Sequence, residues 1–198
     1  LKQITTLPVI TVSNSRSNYE GGFTKEEEAL IQSWTAGYTV SLFCGMCEIG
    51  DERIDLNDET VYTALLDVFE YIANPAYPLQ HPNTILLDPP YNERYATKYA
   101  KHCKTPSDFV IFADVQRTNQ LFNWIKAQQP AQIILKSFQF YRFEGYEVKG
   151  VITYAGGYRR PIFLLCNYRS ETNKQPVLQY ASENAQEQAI IEEEEVFF

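Results

Sequence analysis

Ile85-Leu86-Leu87-Asp88-Pro89-Pro90-Tyr91-Asn92 is the stretch on which the reading of this chain turns. A short, uninterrupted apolar run bounded by turn residues is the pattern of a strand buried on both faces, as in a parallel sheet. The tetrapeptide that ends it combines three chemistries. Asp88 offers a carboxylate that accepts hydrogen bonds from an amine, and Tyr91 offers a flat face on which a base can stack. Pro89 and Pro90 fix φ and carry no N–H, so the loop's carbonyls can serve as further acceptors without a neighbouring donor competing. Such a loop can hold an amino group. Its plainer reading is a turn that closes a buried strand.

Upstream, Thr39 to Leu42 reads as another short strand running into the turn Phe43-Cys44-Gly45-Met46-Cys47. In an α/β sheet this is where a nucleotide-like ligand is received. Arg53-Ile54-Asp55-Leu56-Asn57 follows quickly as a strand, so the usual intervening helix is expected to be missing or reduced to a loop. Asp55 stands where nucleotide-binding sheets place an acid that accepts from both ribose hydroxyls; capping a strand-end turn is its alternative role. Cys44 and Cys47 form a C-x-x-C, but Cys103 and Cys166 supply no second pair, so packing cysteines are expected and no metal. Val61 to Leu66 has two readings: a third strand ending before Asp67, or part of a helix carrying Val61, Leu65, Leu66, Phe69 and Ile72 after a cap at Asp58.

The remainder alternates in the same way. Thr24-Lys25-Glu26-Glu27 is a capping box that opens an amphipathic helix ending at Gly37. Glu93 to Lys104 and Thr118 to Gln128 read as helices, and Phe109 to Ala113 reads as a buried strand. Gln132 to Phe143, Val148 to Tyr154 and Pro161 to Asn167 read as strands, the last two joined through Gly156-Gly157 as a hairpin. Strands alternating with helices before a terminal hairpin predict a mostly parallel α/β sheet with an antiparallel edge. At 198 residues, with 44% hydrophobic and 14% aromatic content, the chain suits one compact domain. We divide it into a catalytic domain over 1–170 and an acidic tail or helix over 171–198. No apolar run approaches the ~20 residues of a membrane span. No charged-then-apolar leader is visible, and the cysteines show no disulfide framework, so a cytoplasmic setting without membrane contact is expected.

The net charge is −8, but its distribution is uneven. Residues 1–60 hold four Lys/Arg against ten Asp/Glu, and residues 171–198 hold one against seven. Residues 61–170 hold twelve against eight, so the basic excess follows the Asp-Pro-Pro-Tyr loop. Arg94, Lys98 and Lys101, with Lys104, recur at helical spacing where phosphate could lie; Arg142, Lys149, Arg159 and Arg160 come from the terminal strands. An ordinary solvated face is the alternative for each cluster.

Asp88-Pro89-Pro90-Tyr91 resembles the signature of the S-adenosylmethionine-dependent amino-methyltransferases that modify exocyclic nitrogens of bases. Phe43 and Gly45 are similar to that family's Phe-x-Gly-x-Gly loop, with Cys47 in the second glycine slot. The resemblance implies a Rossmann-like methyltransferase sheet of about seven strands with a terminal antiparallel hairpin, and S-adenosylmethionine as cofactor. It places Asp67 as acceptor for the cofactor's adenine amine, and Phe23 and Thr24 beside its methionine end. It also implies Asp88, Pro89, Pro90 and Tyr91 as the catalytic loop, with adenine N6 in DNA as the first expectation. Guanine N2 or adenine N6 in RNA, and a noncatalytic subunit of the same fold, are the alternatives. The resemblance implies nucleic acid as the partner, and because no segment is left for a sequence-reading domain, the chain is expected either to bind it weakly with steep salt dependence or to recruit a second subunit that supplies recognition.

Overall fold

The computed structural model describes residues 8–13, 22–90, 115–137, 141–155 and 159–168. Among these residues eight strands form one sheet with helices on both faces. The strands are β1 (Val9–Val12), β2 (Thr39–Leu42), β3 (Glu52–Asp55), β4 (Ala64–Leu65), β5 (Thr84–Leu87), β6 (Gln132–Lys136), β7 (Tyr146–Tyr154) and β8 (Ile162–Asn167). The helices are α1 (Lys25–Trp34), α2 (Val68–Ala73) and α3 (Val115–Gln128). The spatial order is β1-β7-β8-β6-β5-β2-β3-β4. Only β8 runs against its neighbours, antiparallel to β6 and β7.

The apolar runs explain the centre of the sheet. Every residue of β2, β5 and β6 is buried, as parallel strands covered on both faces must be. Because successive side chains alternate, Ile85 and Leu87 face one layer and Leu86 the other, as Ile133 and Leu135 do opposite Ile134. The first layer packs under Val68, Phe69 and Ile72 of α2 and Leu121 and Ile125 of α3. The second packs under Leu30, Ile31 and Trp34 of α1.

The capping box forms as read: the Thr24 hydroxyl accepts from the Glu27 N–H (3.2 Å), and the Glu27 carboxylate accepts from the Thr24 N–H (2.7 Å). Past the helix, Gly37 has φ +62°, and a Cβ there would meet the Asn83 side chain at 2.5 Å, so only glycine fits the turn. The connection from β2 to β3 contains no helix, as expected.

Several expectations need correction. The sheet has an eighth strand, β1, which pairs in parallel with β7. The run from Gln132 to Phe143 is not one strand: β6 stops at Lys136, and Phe143 returns to the core against Phe122 (ring centroids 4.7 Å apart). Of Val61 to Leu66 only Ala64–Leu65 is strand, and the helix that follows starts at Val68 with Asp67 as its cap, not at Asp58. The expected helix over 93–104, strand over 109–113, glycine turn at 156–157 and acidic tail over 171–198 lie outside the described residues. No helix among the described residues is long and apolar enough to cross a membrane.

Candidate functional site

Strand order places the site. Leaving β2, the chain goes to β3 on one side, whereas β5 and β6 lie on the other. Taken alone, β4-β3-β2-β5-β6 has the order 3-2-1-4-5, which reverses between β2 and β5. Ligands of open α/β sheets bind outside the carboxyl ends of the strands at such a reversal. The parallel registers Leu42↔Leu87, Leu42↔Ile54 and Leu87↔Leu135 bring four consecutive strand ends to one edge. Phe43, Asp55, Asp88 and Lys136 therefore share that edge.

On the β2 side the backbone turns sharply. Phe43 has φ +59° and Gly45 has φ +53°. For the phenylalanine this left-handed conformation costs roughly 1–2 kcal/mol, and such strain concentrates at functional turns. The turn is fastened to β3: the Cys44 N–H donates to the Ile54 carbonyl (3.1 Å) and the Gly45 N–H to Asp55 Oδ2 (2.8 Å). Asp55 Oδ1 accepts from the Asn57 N–H at 2.9 Å. Burial pushes the Asp55 carboxyl above its ordinary range, the hydrogen bonds from Asn57 and Gly45 oppose that, and the charge of Asp88 adds to it. Asp55 thus has both roles weighed from sequence available to it. Its oxygens close the turn, and each carboxylate oxygen has a second lone pair.

Cys47 lies in the core with Phe23, Ile49 and Leu86 and is 2% exposed. Burial pushes its thiol up to about 12 and raises that of Cys44 as well, which makes both poor thiolates. Among the described residues no group of three or more His, Cys, Asp or Glu is placed to hold a metal ion. Asp67, at the end of the outermost strand, accepts from the Phe69 N–H (2.6 Å) as the cap of α2. Burial raises its carboxyl above the ordinary range.

On the β5 side lies a cluster of buried charges. Lys136 ends β6 with its side chain 5% exposed. Its Nζ donates to the Gly22 carbonyl (2.9 Å), lies 3.6 Å from Glu27 Oε2 and 3.8 Å from Asp88 Oδ2, and sits 4.3 Å from the centre of the Phe23 ring. It therefore joins the Phe23-Thr24 segment to Asp88. Glu27, fully buried, also takes Arg159 Nη1 at 3.1 Å and the Tyr154 hydroxyl. Arg160 reaches in from the start of β8. Its Nη1 donates to the Pro89 carbonyl (3.0 Å) and lies 2.8 Å from Asp88 Oδ1. That second contact is an ion pair without hydrogen-bond alignment, and Asp88 Oδ1 is a buried acceptor to which no donor is directed.

One edge thus gathers Phe23, Thr24, Phe43, Gly45, Asp55, Asp88, Pro89 and Pro90. Asp67 is a cap farther out, and Cys47 lies beneath in the core. Tyr91, Arg94, Lys98 and Lys101 lie outside the described residues. Arg159 and Arg160 do not belong to a solvated phosphate face: both are tied to buried carboxylates. Lys149 pairs with Glu147 at 2.6 Å on the surface. The sequence reading missed Lys136 and the inward role of Glu27. A signal for Lys136 was present, since Ile133-Ile134-Leu135-Lys136 ends an apolar run in a charge as Ile85-Leu86-Leu87-Asp88 does. Comparison with protein-family models, curated proteins and solved structures gave no match.

Proposed function

We propose that this chain is an S-adenosylmethionine-dependent methyltransferase acting on the exocyclic amine of a nucleic-acid base, with adenine N6 in DNA as the first target. The observation that carries the reading is the placement of the Asp88-Pro89-Pro90 loop beside the Phe43-Cys44-Gly45 turn, at the reversal of a parallel sheet. A methyl donor and an amine must meet there. The residues present suit both. Gly45 adopts a positive φ that brings backbone close to a ligand, Asp55 is half-buried at the end of β3, and Asp88 Oδ1 has no donor directed at it.

In this reading Asp55 holds the ribose hydroxyls, Phe43 and Gly45 line the nucleoside end, and Phe23 and Thr24 border the methionine end, while Cys47 packs beneath the turn and Asp67 caps α2 instead of touching the cofactor. Bound S-adenosylmethionine supplies a methyl group already activated on a sulfonium. The protein's work is then positioning and electrostatics. Asp88 and the Pro89 carbonyl accept the two amine hydrogens, fixing the base plane. Tyr91 stacks on a base turned out of its helix, offsetting part of the few kcal/mol that unstacking costs. Arg94, Lys98 and Lys101 meet phosphate, and a second subunit extends that face.

A noncatalytic subunit of the same fold is the second reading, favoured by the fact that Arg160 already engages Asp88 and Pro89. The test is transfer of labelled methyl from S-adenosylmethionine to DNA and to structured RNA, followed by identification of the methylated nucleoside. N6-methyladenine from DNA is the expected product. N2-methylguanine or N6-methyladenine from RNA alone would move the substrate. Neither transfer nor S-adenosylmethionine binding by calorimetry would leave the noncatalytic reading.

A further inference from the structure

Arg160 presents one flat NH2 group to the two acceptors that, on the reading above, take the substrate amine. Its Nη1 is 3.0 Å from the Pro89 carbonyl and 2.8 Å from Asp88 Oδ1, with the side chain 6% exposed. A guanidinium NH2 and the exocyclic amine of adenine or cytosine are alike in being planar, conjugated and able to donate two in-plane hydrogens. We propose that Arg160 fills the substrate-amine seat of the ligand-free protein, and that a base amine displaces it during binding. The inference rests on the proposed function.

The fit of the arginine is incomplete in the way displacement requires. One Nη1 hydrogen is well used by Pro89, but the contact to Asp88 Oδ1 is close without being aligned. A buried acceptor left in that state favours any ligand that can direct a hydrogen at it. An amine held by the base plane, and not tethered to the start of β8, is free to align one hydrogen on each acceptor. Lys136 stays on the other carboxylate oxygen, Oδ2, and on Gly22 and Glu27, so Asp88 keeps a cation when Arg160 leaves. Glu27 already carries Arg159 and lies within the same network. The seat is thereby selective for flat, conjugated amines and disfavours tetrahedral ammonium groups.

Self-occupation lowers the apparent affinity for substrate by the fraction of molecules whose seat is vacant. Removing the guanidinium should therefore act on KM. The substitution Arg160→Met keeps the buried aliphatic stem and removes the amine mimic. If the seat is vacant in about a tenth of molecules, the KM for a methylatable DNA should fall about tenfold, with a smaller change in kcat. In Arg160→Ala, methylguanidinium should refill the seat and inhibit competitively against DNA, while leaving the wild type unaffected. The opposite pattern, in which kcat falls at unchanged KM and methylguanidinium restores activity, would make Arg160 a structural clamp and overturn the proposal.

If the wild type methylates no base, the proposed function fails by itself, and the seat is then read by calorimetry. Methylguanidinium bound by Arg160→Ala and displaced by deoxyadenosine supports the seat; no binding of either overturns it. Should Arg160→Ala not fold, deoxyadenosine binding tighter to Arg160→Met than to the wild type is the supporting result, and equal binding is the overturning one.

Discussion

Two buried carboxylates in this sheet are served in opposite ways. Glu52, at the start of β3, receives three neutral hydrogen bonds, from the Tyr38 hydroxyl (3.0 Å), the Tyr71 hydroxyl (2.9 Å) and the Leu79 N–H (2.8 Å). Tyr71 is itself stacked on Tyr77 and edge-on to Trp124. Asp88, just past β5, is flanked instead by two cations, and one of its oxygens has no hydrogen directed at it. A carboxylate with a hydrogen bond on each oxygen, walled by aromatic rings, is occupied in holding its own neighbours together. A carboxylate held by charge, with an acceptor site left over, is poised to exchange partners. On the proposed function, the polar ends of the same sheet are divided between stability at Glu52 and chemistry at Asp88.

That contrast can be broken or sharpened by substitution. The largest effect is expected at Asp88: Asp88→Ala should lower methyl transfer on the order of 10²–10³-fold, the scale of removing one preorganised polar group from a reaction site, while S-adenosylmethionine binding by calorimetry is largely kept. At Glu52 the effect should fall on stability. Glu52→Ala leaves two tyrosine hydroxyls and an N–H without their acceptor, at about 1–3 kcal/mol for each group that stays buried and unsatisfied. Denaturant unfolding measures that loss, and turnover per folded molecule should change little. Asp55→Ala should weaken S-adenosylmethionine binding by about 1–3 kcal/mol through unsatisfied ribose hydroxyls and a looser Gly45 turn.

The smallest effect is a pH dependence at Asp67. Its carboxyl sits above the ordinary value of 3.8 because it is buried, so its contribution to stability is full below that value and is lost as pH rises through the higher folded value. Asn caps a helix about as well as Asp. The melting temperature of Asp67→Asn relative to the wild type should therefore rise between acid pH below 3.8 and neutrality. A difference independent of pH would mean that the Asp67 charge is not disfavoured by burial.

The central strands and both helix faces were legible because their signals are local. Short segments bounded by turn residues, with Ile85 to Leu87 and Ile133 to Leu135 apolar throughout, mark β2, β5 and β6, and the Thr24 to Glu27 box marks the start of α1. β1 was not legible, since Val9–Val12 acquires its role only by pairing with β7, more than a hundred residues away. Asp67 was read as a strand-end acid and also caps a helix, because two residues of strand suffice to reach the edge of the sheet. The loop chemistry of Asp88 was visible in its neighbours, but Lys136 reaches it from β6, with Glu27 of α1 behind it, and Arg160 from the start of β8. Spacing along the chain carries no information about such convergence. A charge ending an apolar strand was the sole local hint.

The most direct measurement is methyl transfer to DNA compared with thermal melting for the isosteric pair Asp88→Asn and Glu52→Gln, assayed well below both melting temperatures. The account predicts that Asp88→Asn, even where it is fully folded, transfers little or no methyl, whereas Glu52→Gln melts lower and transfers at near the wild-type rate per folded molecule. An active Asp88→Asn, or an inactive but fully folded Glu52→Gln, would contradict the division of labour proposed for the two carboxylates.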